Sequence, residues 1–251
     1  MRETYKISDD EIIAYQHHKS KKNLPCVVFL HGLMSDMQGS KSQYLYNYCC
    51  SKDIPFLAFD NLGCGKSSGN YIDQTMGKWL DSAKKMIRAL TENGAIIVGS
   101  SAGAWTALSL AMSMKDLVKG LICIAAAPDF TEDMWESLPP QHQERLHSGE
   151  VLDIQGYPLS YNFIEEGRNH LLLNKEIIPI DCPVHFLHGV KDTVVSHNLS
   201  MQLFDKISSK RAVLKLIKDG DHRLSRPEDL TAISNSLDEI LQINMQYQIP
   251  D

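Results

Sequence analysis

Gly99, Ser101 and Gly103 stand at the spacing G-x-S-x-G within IIVGSSAGAW, residues 96–105. The run before them is short, apolar and β-branched, as in a buried strand, and Ala102 to Met114 is rich in the helix formers Ala, Leu and Met. Ser101 is therefore expected at a sharp strand-to-helix turn, where neighbouring backbone comes so close that only small residues fit two places to either side. Ser100 fails the same test, because Val98 and Ala102 occupy its flanking positions. A serine hydroxyl at such a turn can attack an acyl carbonyl, provided that a base removes its proton and an acid orients the base.

Candidates for both partners lie downstream. FLHGVKDTVV ends an apolar strand and places Asp192 in the next loop, and LIKDGDHRL ends another and places His222 just before a helical segment. Ser101, Asp192 and His222 thus follow in the order nucleophile, acid, base, each beyond the carboxyl end of a strand. Asp181 competes with Asp192 but precedes its strand, and Asp221 reads as a turn residue beside His222. The developing oxyanion also needs donors. VVFLHGLMSD supplies a strand and a His31-Gly32 turn, so the Leu33 and Ala102 amides are the expected pair, with His31 in a structural role.

The elements that must position these residues alternate. Apolar runs at 26–30, 56–59, 95–98, 120–125, 184–187 and 212–217 are separated by helical patterns at 75–90, 101–114, 197–207 and 227–243. This predicts an α/β fold with a mainly parallel, doubly wound sheet, and Thr4 to Gln16 supplies antiparallel edge strands. Residues 1–128 and 181–251 form the expected core. Residues 129–180 break the rhythm and are expected to be a lid insertion over the carboxyl edge of the sheet, the alternative being a decoration away from the site. Within it Met134, Trp135 and Leu138 make an apolar face that either roofs an acyl pocket or packs the insertion down.

Length and composition set limits. A chain of 251 residues with 43% hydrophobic and 22% charged residues suits one soluble domain with a full core. A net charge of −6 leaves no basic stripe for nucleic acid, and Gly120 to Pro128 is too short to span a bilayer. The six cysteines form no C-x-x-C pair, which argues against zinc and thioredoxin-like chemistry, and with no H-E-x-x-H or other cluster in the sequence no metal is expected. Their scatter, with an acidic start that matches neither a secretory signal nor a transit peptide, predicts a cytoplasmic setting. NLGCGKSSG resembles a phosphate-binding loop only in its tail, since Asp60 stands where the first glycine belongs, and Gly69 comes one place late for a dinucleotide motif.

These contexts, with His31-Gly32 and FDNLGCGKSSG, resemble the serine α/β-hydrolases. TMGKW, GSSAGAW, YNFIEEG, CPVHFLHGVKDTVV with the following SMQ, and DHR resemble more narrowly the mitochondrial palmitoyl-protein thioesterase and acyl-glucuronide esterase type, from about residue 25 almost to the end. The resemblance implies a cofactor-independent hydrolase of acyl esters or thioesters, acting on small acyl substrates or acylated proteins through an acyl-enzyme. Ala102 and Ala104 depart from that type, which has a bulkier residue and a glycine there. The competing expectation is a degenerate hydrolase fold that binds a ligand or partner without turnover.

Overall fold

The computed structural model describes residues 2–154 and 156–246. Strands β1 (Arg2–Lys6) and β2 (Ile12–His18) form the antiparallel edge, after which β3 (Cys26–Leu30), α1 (Ser40–Lys52), β4 (Phe56–Phe59), α2 (Met76–Leu90), β5 (Ala95–Ser100), α3 (Ala102–Ser113) and β6 (Val118–Ile124) alternate. Then come the short elements α4 (Phe130–Ser137), α5 (Pro140–His147), β7 (Leu152–Ile154), β8 (Tyr157–Leu159) and α6 (Tyr161–Gly167). The alternation resumes with β9 (Val184–Gly189), α7 (His197–Lys206), β10 (Ala212–Ile217) and α8 (Pro227–Gln246). The main sheet runs β1-β2-β4-β3-β5-β6-β9-β10, and every pair from β4 onward is parallel. This is the mainly parallel, doubly wound α/β sheet expected from the alternation, with the antiparallel strands at its edge.

A parallel sheet covered on both faces needs strands that are apolar on both sides, and CVVFL and FLAF are buried throughout. Val28, Leu30 and Ile97 point into one core with Met86 of α2, Trp105 of α3 and Leu203 of α7. Val27, Phe29 and Val98 point into the other with Leu45 of α1 and Leu237 of α8. The period of two along each strand therefore sorts neighbouring residues into separate cores. No described helix is long and apolar enough to cross a membrane.

Among the described residues, the segment 129–180 adds no strand to the main sheet, and β7 and β8 pair only with each other. It has a small core of its own, in which Leu138, Leu146, Leu159 and Phe163 gather around Trp79 of α2. The Phe163 and Trp79 rings meet edge to face at 5.6 Å. One side chain closes the segment on itself. Asp129, at its start, accepts hydrogen bonds from the amides of Leu172 at 2.8 Å and Leu173 at 2.8 Å.

Candidate active site

Ser101 sits between β5 and α3 with φ 57° and ψ −119°, a conformation that costs a residue with a Cβ free energy and lifts its side chain out of the turn. The flanking glycines explain themselves. A Cβ on Gly99 would overlap the Gly103 carbonyl and Ala104, and one on Gly103 would overlap the carbonyls of Leu30 and His31. The Ser101 amide donates to the Ile124 carbonyl at 2.9 Å, which ties the turn to β6.

Two further loops converge on this serine. The Nε2 of His222, from the loop after β10, lies 3.2 Å from Ser101 Oγ, and its Nδ1 lies 2.7 Å from Asp192 Oδ2, from the loop after β9. The Asp192 side chain is wholly buried, whereas that of His222 is 22% exposed. Burial alone would raise the Asp192 pKa. The Val195 amide, His222 and the Val194 amide outweigh it and hold the carboxyl below its ordinary range. Both amides donate to Oδ1 at 2.8 Å. Asp221 accepts from the amides of Arg223 and Leu224, each at 3.0 Å, and so shapes the turn that presents His222.

The Leu33 and Ala102 residues line the same cavity. Neither amide donates to a protein acceptor among the described residues, and Ala102 opens a helix, where amides lack intrahelical partners. His31 fixes the first of them. The Asn61 amide donates to its Nε2 at 3.0 Å, so the ring proton sits on Nδ1 and is donated to the Gly32 carbonyl at 2.8 Å. Carbonyl and amide of one trans peptide point in opposite directions, so holding the Gly32 oxygen aims the Leu33 N–H.

The cavity, of about 1130 Å³, has a mixed lining. Phe130 and Met134 of α4, Ile154, Tyr157, Val194 and Leu199 are apolar, while Ser40, Lys41, Arg223 and Ser225 form a polar stretch. Lys41 donates to the Arg223 carbonyl at 2.5 Å, and burial pushes its pKa down to about 8. Of the apolar face expected on α4, Met134 alone lines the cavity. Trp135 packs on Tyr161 and His147, and Leu138 is buried in the small core. Leu138 falls just beyond the last turn of α4, so the assumed helical spacing does not hold across the three.

Two features escaped the sequence. Lys41 lies in the first turn of a helix that carries no motif. His188 reads as one more residue of a buried strand, yet its Nε2 lies 3.0 Å from Asp192 Oδ2. The glycine turn at 60–69 is structural: Asp60 accepts from the amides of Met37 and Lys66, both at 2.8 Å, and Gly63, Gly65 and Gly69 all take positive φ.

A family model for the alpha/beta hydrolase fold matches residues 25–150. The mouse mitochondrial palmitoyl-protein thioesterase ABHD10 is 34% identical over 236 residues, covering 91% of this chain and 78% of its own. The human protein of that name is 31% identical, covering 91% and 76%. The solved structure of alpha/beta hydrolase domain-containing protein 10 from mouse superposes with a TM-score of 0.88 at 32% identity, covering 96% of this chain and 98% of that one. The mitochondrial designation of these relatives overturns the cytoplasmic setting expected above. The cysteines are unpaired among the described residues, and cysteine usage does not say which compartment a chain occupies. On the match of the family model and the extent of these relatives, the chain belongs to the α/β-hydrolases.

Proposed function

We propose that this protein is a serine hydrolase of acyl thioesters and esters that works through an acyl-enzyme on Ser101. The observation that carries this reading is the unbroken path of hydrogen-bond distances from Ser101 Oγ through His222 to the buried Asp192. Ser101 Oγ attacks the acyl carbonyl and passes its proton to His222 Nε2, while Asp192 keeps the Nδ1–H in place and stabilises the imidazolium. The Leu33 and Ala102 amides receive the oxyanion. His222 then returns the proton to the departing thiol or alcohol. Water attacks the acyl-enzyme by the same route in reverse, releasing the carboxylic acid and free Ser101.

The mixed lining supports a division of the substrate. Met134 and its apolar neighbours suit the acyl chain, and the stretch around Lys41 and Arg223 suits a polar leaving group. In this reading residues 129–180 act as the lid, contributing Phe130, Met134, Ile154 and Tyr157 to the pocket. The family's relatives named palmitoyl-protein thioesterase favour a thioester with a long acyl chain, on a small carrier or on a protein.

Labelling with a fluorophosphonate and intact-mass measurement tests the nucleophile. One adduct, mapped to Ser101 and absent from Ser101→Ala, is the expected result; a folded protein without an adduct would overturn it. Turnover of acyl-CoA and acyl-cysteine thioesters of increasing length, beside the matching oxygen esters, then identifies the acyl donor.

A further inference from the structure

Resting on the reading that Ser101, His222 and Asp192 react in sequence, we propose that His188 is a positioning residue for the acid, its Nε2–H holding Asp192 Oδ2 in line with His222. His188 is fully buried near the end of β9. Its ring is gripped at both nitrogens: Ser200 Oγ of α7 lies 2.7 Å from Nδ1, and Asp192 Oδ2 and the Val195 carbonyl lie 3.0 and 3.1 Å from Nε2. A carboxylate and a carbonyl only accept, so the proton sits on Nε2, and the Ser200 hydroxyl donates to the lone pair of Nδ1. Burial pushes the imidazolium form below the ordinary histidine range, which keeps the ring neutral.

The consequence for Asp192 follows from counting. An ionised carboxylate offers about four lone-pair sites. Two amides take Oδ1, while His222 and His188 share Oδ2. Every site is committed, so the carboxylate has one orientation, and it is the one His222 needs. The charges near this pair are held by partners of their own. Ser200 is neutral, Lys191 is paired with Asp219 at 2.6 Å, and Asp221 is held in its own turn.

Three variants test the proposal, with Ser101→Ala as the control for the reading beneath it. His188→Leu keeps bulk and removes the donor. It is expected to lower kcat by about 10- to 100-fold on a short p-nitrophenyl ester while KM stays within about threefold, the signature of a lost transition-state interaction. Its acid limb of kcat/KM should rise by about half a pH unit or more, because an unshared Oδ2 stabilises the His222 imidazolium more strongly. His188→Gln returns an amide donor and should restore much of kcat and the position of the limb. Should His188→Leu fail to fold, Ser200→Ala carries the test, with a smaller rise of the limb in the same direction. An unmoved limb with kcat within about twofold in the folded variants overturns the proposal, as does a Gln variant as impaired as Leu. If Ser101→Ala is inactive while His188→Leu behaves as wild type, only the role of His188 falls. Turnover retained by Ser101→Ala would instead defeat the whole reacting chain.

Discussion

Gly189 and Gly220 meet backbone to backbone where β9 and β10 end, and a Cβ added to Gly189 would overlap the Gly220 carbonyl. The Lys191 amide donates to that same carbonyl at 2.9 Å, so the loops bearing Asp192 and His222 are stitched together just behind the site. Gly189→Ala is expected to wedge them apart, costing about 2 kcal/mol of stability as an overpacked site does. Activity should fall by more than about tenfold, since a small misplacement of acid from base is enough. Urea unfolding and steady-state rates read the two effects, and a variant normal in both would show that the loops do not depend on this contact.

Ser101 is held at positive φ by its surroundings, and glycine reaches that conformation freely. Ser101→Gly should therefore unfold at a higher temperature than Ser101→Ala, by roughly 1 kcal/mol after allowing for the extra freedom glycine gains in the unfolded chain. Equal melting temperatures for the two inactive variants would mean that the turn stores no strain.

In the proposed mechanism His31 acts on the oxyanion through a peptide it does not belong to. With His31→Leu, the Gly32 carbonyl loses its donor and the Leu33 amide its aim. The expected loss is about 100-fold in kcat with little change in KM, comparable to removing one oxyanion donor. A loss confined to KM would place the Leu33 amide outside the reaction.

Acid should destabilise the fold in a defined window. Burial holds the pKa values of His31 and His188 below the ordinary histidine value. As pH falls through about 6.5, the unfolded chain takes up protons that the folded chain refuses, so stability declines toward the depressed folded values. Each histidine contributes a slope of at most about 1.4 kcal/mol per pH unit, and His188→Gln should remove one share. Denaturation series between about pH 7 and about pH 5 measure the slope, and an identical slope in the variant would show His188 to be protonated in the fold. Asp192, with its lowered pKa, loses its contribution only in a separate window at and below the ordinary carboxylate range.

Met134 and Trp135 are neighbours in sequence with different surroundings. Met134→Ala should lower kcat/KM for long acyl chains several-fold and leave acetyl esters nearly unchanged, since each buried methylene contributes about 0.8 kcal/mol. Trp135→Ala should lower the melting temperature and affect short and long chains alike, because its ring packs on Tyr161 and His147. A chain-length dependence lost with Trp135 and kept with Met134 would reverse the assignment.

Where function depends on local backbone, the residue types announce it. The glycines around Ser101 are legible because no other residue fits, and the loops after β9 and β10 are legible because strands end in Gly-Asp-rich turns. His188 was illegible for the opposite reason. Its partners are Ser200 on a helix and Asp192 across a loop, and neither distance along the chain is characteristic. Strand order is likewise absent from the alternation, which does not say that β3 lies between β4 and β5. The face of α4 leaves two readings open in the sequence, because an apolar spacing does not say which apolar surface each side chain meets.

Asp129 grips Leu172 and Leu173 across 43 and 44 positions of sequence, so most of the excursion from the sheet is closed by one clasp. A segment bounded in this way is an exchangeable cassette. Its helices can be lengthened, shortened or redrawn without disturbing the strands that hold Ser101, Asp192 and His222. On the proposed function, preference for one acyl chain over another can then drift quickly in descendants of this fold while the chemistry proposed for Ser101 stays constant.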